Sequence, residues 1–254
     1  MMRRLWLLIL LWCSAPWAHT EIRVGGYPFA PFVEKGPGGQ WYGLTLDLIT
    51  ALNRTQHDYR FIFVPTSSAQ RYKALDIGRF DMMMFEDLKW GWQDHAVQAS
   101  SSYYFGGEVY VAMRVPGRDQ RFFEDVTRHR LIGVEGYHYG FSQFEGDPAR
   151  LHQRFRITLV KDNASTLRAL QLGRGDVAVL TRAYLDSQLA RDPALAEQLL
   201  ISTQLDQRYQ LRMLIAPAAP IALPVFEQMM QSLTRQGVAA ALWRRYGLAA
   251  TTVP

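Results

Sequence analysis

One stretch of the chain is written twice. Arg71-Tyr-Lys-Ala-Leu-Asp-Ile-Gly-Arg-Phe-Asp-Met-Met-Met84 and Leu167-Arg-Ala-Leu-Gln-Leu-Gly-Arg-Gly-Asp-Val-Ala-Val-Leu180 share Ala-Leu-x-x-Gly-Arg-x-Asp followed by an apolar run. In each copy a helix is predicted to end at a glycine (Gly78, Gly173), which enters the left-handed conformation at little cost. The apolar run that follows has the length of a buried parallel strand. One copy would be an ordinary helix-to-strand joint. Two copies in one chain predict two similar α/β lobes with a cleft between them.

The N-terminus reads as an address. Arg3 and Arg4 precede the apolar run Leu5–Trp12, and Ser14-Ala-Pro-Trp-Ala18 supplies small residues for cleavage after Ala18. Residues 1–18 are therefore expected to be an export signal, with an uncleaved anchor as the alternative; the run is too short to span a bilayer comfortably. The single cysteine, Cys13, lies inside this peptide, so the mature chain is expected to have no disulfide and no thiolate chemistry. Export without cysteines fits a periplasm better than the disulfide-rich secreted class.

Without Arg3 and Arg4 the chain keeps 26 basic against 23 acidic residues, a formal charge of +3. That balance is mild and scattered, and it does not imply nucleic acid. Asn53-Arg-Thr55 and Asn163-Ala-Ser165 match the glycosylation triplet, a weak reading beside a bacterial-type export signal. The six histidines show no metal-ligand spacing, and neither a cofactor nor a metal is expected.

Along the chain, Glu21–Gly25 reads as a first strand, and Gly26-Tyr-Pro-Phe-Ala-Pro-Phe32 as a loop holding rings at its end. A helix is predicted to begin at Thr45 or Asp47, and Tyr59–Val64 to be the second strand. Glu86–Ser102 reads as irregular. Tyr103–Met113 reads as a long strand whose glycine pair, Gly106-Gly107, marks a bend or bulge where the chain crosses between lobes. Leu131–Val134 and Ile157–Val160 are strands of the second lobe, and Gln210–Ala216 is a strand that carries the chain back. Leu223–Tyr246 is a helix broken at Gly237.

The ordered set Val24-Gly-Gly-Tyr-Pro-Phe-Ala-Pro-Phe32, Gly43-Leu-Thr-Leu-Asp47, both Gly-Arg-x-Asp copies, Tyr103-Tyr104, Leu131-Ile-Gly-Val134 and Trp243-Arg-Arg-Tyr-Gly247 resembles the family-3 extracellular solute-binding proteins, the periplasmic receptors of polar amino-acid uptake. The resemblance implies an α/β fold of the two-lobed, type II-like periplasmic-binding-protein kind. Lobe 1 would span 19–107 plus 208–254 and lobe 2 would span 108–207, joined by a two-strand hinge. In the amino-acid-binding members an arginine after the first Gly-x-x-Asp strand grips the ligand's α-carboxylate, as a bidentate guanidinium does well. Laid over this chain without gaps, that segment is Trp90-Gly-Trp-Gln93, with Gln93 in the arginine's place. The family's aspartate for the α-amino group becomes Thr181, and its small hydroxyl residues become Tyr137 and His138. A free α-amino acid held in the usual way is therefore not expected.

The residues at these places are rings and acids: Tyr27, Phe29, Glu86, Asp87, Trp90, Trp92, Tyr103, Glu135, Tyr137 and His138. Such a set favours a flat or cationic ligand. The plainer alternative has Trp90 and Trp92 capping the core and Glu86 and Asp87 solvated. Arg71 either faces the cleft or pairs with a nearby carboxylate. The expected ligand set is Tyr27, Phe29, Arg71, Glu86, Trp90, Gln93, Tyr137, His138 and Thr181.

The function these residues suggest is reversible capture of a small molecule by hinge closure in a monomer, read by an inner-membrane permease or sensor. Catalysis is not expected. A cyclohexadienyl-type dehydratase of the same fold would need a carboxylate-gripping arginine and a positioned acid, for which Glu86 or Glu135 with His138 are candidates. A lobe pair serving only as an interaction module is the third possibility.

Overall fold

The computed structural model describes residues 19–248; the export signal read from residues 1–18 lies outside them. Eleven strands are formed among the described residues: β1 (Thr20–Gly26), β2 (Glu34–Lys35), β3 (Trp41–Tyr42), β4 (Tyr59–Pro65), β5 (Met82–Glu86), β6 (Gln98–Ala99), β7 (Tyr104–Met113), β8 (Leu131–Val134), β9 (Ile157–Val160), β10 (Val177–Thr181) and β11 (Leu199–Ile215). The helices are α1 (Leu44–Thr55), α2 (Arg71–Asp76), α3 (Pro148–Arg154), α4 (Asn163–Gln171), α5 (Arg182–Arg191), α6 (Leu195–Gln198), α7 (Leu223–Arg235) and α8 (Val238–Arg245). None is long and apolar enough to cross a membrane.

The duplicated joint builds both lobes in the same way. Gly78 and Gly173 sit at φ of 68° and 69°, and their N–H groups each donate to a carbonyl of the preceding helix, Leu75 and Leu170, at 2.9 Å. Arg79 and Arg174 then donate to Ala74 and Ala169, which closes the helix end. The repeat's aspartate fixes what comes next. Asp81 accepts from the backbone N–H of Arg23 (2.7 Å) and from its guanidinium (2.6 and 3.0 Å). Asp176 does the same with Arg130, at 3.0 Å for the N–H and 2.8 and 3.1 Å for the guanidinium. Each aspartate thereby ties its helix-to-strand joint to the neighbouring parallel strand.

Parallel strands β4-β1-β5 make one end of a nine-stranded sheet and β10-β8-β9 the other, in the order β4-β1-β5-β11-β7-β10-β8-β9 with β6 against β11. The long antiparallel pair β7 and β11 joins them. Here the expectation of a bend at the glycines is corrected. β7 runs unbroken through Gly106 and Gly107, and the register shifts lie between Ile201 and Gln207 on β11, facing Val109 and Val111. The glycines answer a different need. A Cβ on Gly106 would run into the Tyr209 ring, and one on Gly107 would stand 2.7 Å from the Gln207 carbonyl oxygen. The predicted strand Gln210–Ala216 is the far part of β11, whose nearer part was hidden by its polar residues Ser202, Thr203, Gln204 and Asp206.

α1 begins at Leu44, just ahead of Thr45 and Asp47, because Gly43 at φ of 124° supplies the N-cap. One apolar cluster runs through both lobes, from Ile22, Leu48 and Phe226 to Leu131, Tyr139 and Leu151. A second packs Leu167, Leu170, Tyr184 and Leu185 on the other face of the second lobe's sheet. The first is continuous because aromatic rings fill the space between the lobes.

Candidate ligand cleft

β1, β5 and β8 deliver their C-terminal loops to one place, the usual position for binding groups in open α/β sheets. Tyr27 and Phe29 follow β1, Trp90 follows β5, and Tyr137 and His138 follow β8. Their rings meet edge to face: Tyr27 with Tyr137 at 6.3 Å between centroids, Phe29 with Tyr137 at 5.9 Å, and Phe29 with Trp90 at 5.5 Å. Together with Arg71 and Glu108 these side chains surround a cavity of ≈ 10 Å³. That is room for about one water molecule.

Arg71, at the first position of α2, has its side chain 1 % exposed. Its Nη1 donates to the carbonyls of Ser68 and, across the cleft, Gly136 (2.9 Å). Nη2 reaches the Trp90 carbonyl (3.4 Å) and the His138 Nδ1 (3.5 Å). Nε lies 3.4 Å from Glu86 Oε2, close enough for an ion pair but without hydrogen-bond geometry. The guanidinium carbon stands 4.4 Å from the Tyr72 ring centroid and 5.1 Å from that of Tyr27.

Glu86 is equally buried and also accepts from Trp92 Nε1 at 2.6 Å. Burial raises its carboxyl above the ordinary range, against the opposing pull of Arg71, Trp92 and Tyr27. Burial lowers the Arg71 guanidinium, but Tyr27, Glu86 and Tyr72 together outweigh it and leave it raised, so it stays charged. A buried charge persists only with partners of this kind.

The second lobe's titratable groups at the cleft are shifted toward their neutral forms. Burial, with Arg71 nearby, pushes His138 down to about 3, so its imidazole is neutral, and in the Nε2–H tautomer its Nδ1 accepts from Arg71. Glu108, from the crossing strand β7, is 2 % exposed, and burial with Asp206 nearby raises it well above the carboxylate range. It accepts from Gln207 Nε2 at 2.6 Å, and Gln207 in turn accepts from Trp90 Nε1 at 3.1 Å. Direct bonds also cross between lobes: Tyr137 Oη donates to the Pro28 carbonyl (3.0 Å), Thr181 Oγ1 to that of Ala30 (3.4 Å), and Ser68 Oγ to that of Glu135.

Of the sequence-derived set, Tyr27, Phe29, Arg71, Trp90, Tyr137 and His138 line the cavity, and Glu86 lies behind Arg71. Two do not reach it. Gln93 is exposed in the short 3₁₀ turn Trp92–Asp94, which follows Gly91 at φ of 82°. Thr181 is fully buried as the N-cap of α5, its hydroxyl engaged with Tyr184 N and Ala30 O. Glu135 is exposed. Asp87 accepts from the backbone of Lys89 and Gln210, and Trp92 is buried against Glu86. Both of Arg71's alternatives hold at once: it pairs with a carboxylate and faces the cleft. Sequence reasoning missed Glu108, Gln207 and Tyr72. Only Glu108 left a signal, as a lone acid between the glycine pair Gly106-Gly107 and the apolar stretch Val109–Met113.

The fold is that of the two-lobed periplasmic binding proteins. Among solved structures, an ABC uptake transporter substrate-binding protein from Streptococcus pneumoniae with bound histidine superposes with a TM-score of 0.73 at 18 % identity, covering 92 % of this chain and 95 % of that one. A mutant of ArgBP from T. maritima gives 0.70 at 17 % identity, over 89 % of this chain and 94 % of that one. An ancestral amino acid-binding protein, described as a precursor of cyclohexadienyl dehydratase, gives 0.67 at 20 % identity over 89 % and 95 %. No protein-family model and no curated protein matches the chain. The resemblance to family-3 solute-binding proteins therefore holds for the fold.

Proposed function

We propose that this chain is an exported, periplasmic solute-binding receptor whose lobes, 19–107 with 208–254 and 108–207, close on a small ligand. A permease or a sensor in the inner membrane then reads the closed shape. The observation that carries this is the convergence of Tyr27, Phe29 and Trp90 from one lobe with Tyr137 and His138 from the other, around a buried guanidinium–carboxylate pair. Only closure brings such groups together, so a ligand touching both sets binds the closed form better and shifts the population toward it. The neighbours with bound histidine, lysine or arginine support a small-molecule role for such a cleft. Rings and a buried carboxylate favour a planar or cationic solute. An amino acid held at its α-groups lacks its usual grips, because the places of the family's arginine and aspartate read as Gln93 and Thr181, neither of which lines the cavity.

The test is a thermal-shift screen of the mature chain against amino acids, polyamines, guanidino compounds, sugars and aromatic acids. A planar or cationic compound raising Tm in a saturable way is the expected result. A large shift from an ordinary amino acid lacking a cationic or aromatic side chain would overturn the ligand assignment. Silence across the panel, with a membrane protein co-purifying, would leave the interaction module.

One observation favours a second reading. Glu108, its carboxyl raised by burial, lies in the same cavity as Arg71, so a group shifted toward its acid form sits beside a cation able to hold a substrate carboxylate. A dehydratase acting on a cyclohexadienyl acid would use such a pair. Turnover of prephenate or arogenate, abolished by Glu108→Gln, would establish it.

A further inference from the structure

We propose that the cleft contains a guanidinium site built by both lobes, and that its built-in occupant is the chain's own Arg71. It concerns the same cleft as the receptor reading and rests on that reading only for its consequence for capture.

The geometry is more elaborate than charge balance requires. An arginine kept to neutralise Glu86 would need one contact. Here carbonyls of Ser68 and Trp90 from the first lobe, and Gly136 and His138 Nδ1 from the second, receive the four terminal N–H positions, while Nε faces Glu86. Tyr72 and Tyr27 flank the cation at 4.4 and 5.1 Å. A planar fork with five donors matches this set; a compact ammonium does not. The second lobe's contribution depends on a close approach. Gly136 has φ of 76°, and a Cβ there would stand 2.7 Å from the backbone nitrogen of Ala69. Only a glycine lets the Gly136 carbonyl come this near the first lobe.

Because its acceptors come from both lobes, the Arg71 side chain favours closure by the same differential contacts through which a free ligand would act. A solute entering the cleft must displace it. Its affinity is reduced by the fraction of molecules in which Arg71 holds the site. A planar cation can inherit the released acceptors and the charge opposite Glu86, and a neutral sugar cannot supply that charge.

The experiment uses the mature chain carrying Arg71→Ala and ethylguanidinium, the fragment that the substitution removes. Small-angle scattering and thermal unfolding are expected to show a larger radius of gyration and a lower Tm for the variant. Millimolar ethylguanidinium should restore most of both, equimolar ethylammonium neither, and the wild type should respond to neither. A variant as compact as the wild type, or one rescued equally by the two amines, overturns the proposal.

Should Arg71→Ala fail to fold, Arg71→Lys keeps the charge without the fork and is expected to be more open than wild type. A lysine variant as closed and as stable as wild type overturns the proposal. Nitrogen-15 NMR of the unmodified chain gives a further check, because a site of this kind predicts one guanidinium with slow rotation and slow proton exchange. Arg71 signals that rotate and exchange freely overturn it. Rescue of Arg71→Ala in a chain whose wild type binds no solute would sink the receptor reading and leave this inference standing; solute binding without rescue would do the reverse.

Discussion

The two lobes share a joint and differ in what they hang on it. The interval that carries Gly78 onto Gly173 also carries Arg71 onto Thr166 and Glu86 onto Thr181. In the first lobe those positions hold a buried ion pair at 3.4 Å. In the second they hold two buried threonines, one bonded back to the Asp162 carbonyl and one capping α5. The scaffold tolerates either solution, so the ion pair is not needed to make the joint. The charge sits on one side of the cleft, and the other side offers neutral acceptors to it.

The largest test of that contrast transplants the second lobe's residues into the first. Arg71→Thr alone should cost about 3–5 kcal/mol, because Glu86 is left buried and uncompensated. Adding Glu86→Thr should recover the part of the loss due to the stranded carboxylate in urea unfolding, and leave the part due to the missing Arg71 bonds. A double variant no better than the single would mean that the lobes are not interchangeable here.

The next concerns the neutrality of the second lobe. His138 is pushed down to about 3, against about 6.5 in an unfolded chain. The unfolded state therefore binds the proton first. Stability from this group is present above about pH 6.5 and is lost as pH falls toward about 3, by at most about 1.4 kcal/mol per pH unit. His138→Gln should flatten the unfolding profile in that window. Glu108 has the opposite sign: its raised carboxyl is least costly below about pH 4.3, and stability drains as pH rises toward its folded value. Glu108→Gln should remove that upper slope.

Smaller effects compare the shared joint with itself. Asp81→Asn should cost about 1.5–3 kcal/mol, since Asp81 is nearly buried and its bonds are charge-assisted. Asp176→Asn should cost less, its carboxylate being 32 % exposed beside a solvated Arg130. Equal losses would show that exposure does not set the difference. Smallest of all, Gly78→Ala and Gly173→Ala should each cost about 1 kcal/mol and match one another. Both glycines have left-handed backbone, and an added methyl would meet nothing within 4 Å at either, so only conformation is being measured.

The joint was legible because it is local: Ala-Leu-x-x-Gly-Arg-x-Asp names its own helix end, cap glycine and strand. The partners of Asp81 and Asp176 were not, since Arg23 and Arg130 lie far away in sequence and share no motif. The cleft was readable where a strand's end fixes the loop, as at Tyr27, Phe29, Trp90 and Tyr137. Gln93 was harder to place, because it sits exposed in the short turn that follows left-handed Gly91, outside the small cavity. Thr181 was hard for another reason, because its hydroxyl is committed to capping its own helix. Glu108 needed the fold, since only the crossing strand's position makes a lone acid part of the cleft wall.

The interruption in β11 has a mechanical corollary. Between Ile201 and Gln207 the ladder to β7 is already thinned, while the rungs on either side of it, Leu199–Ile201 and Gln207–Leu211, stay in regular register along the seventeen-residue strand. A twist of the long strand pair can be taken up there, where few rungs have to break. The side-chain bonds between the facing loops, Tyr137 to Pro28 and Ser68 to Glu135, then carry more of the work of fixing how the two ends of the sheet sit against each other.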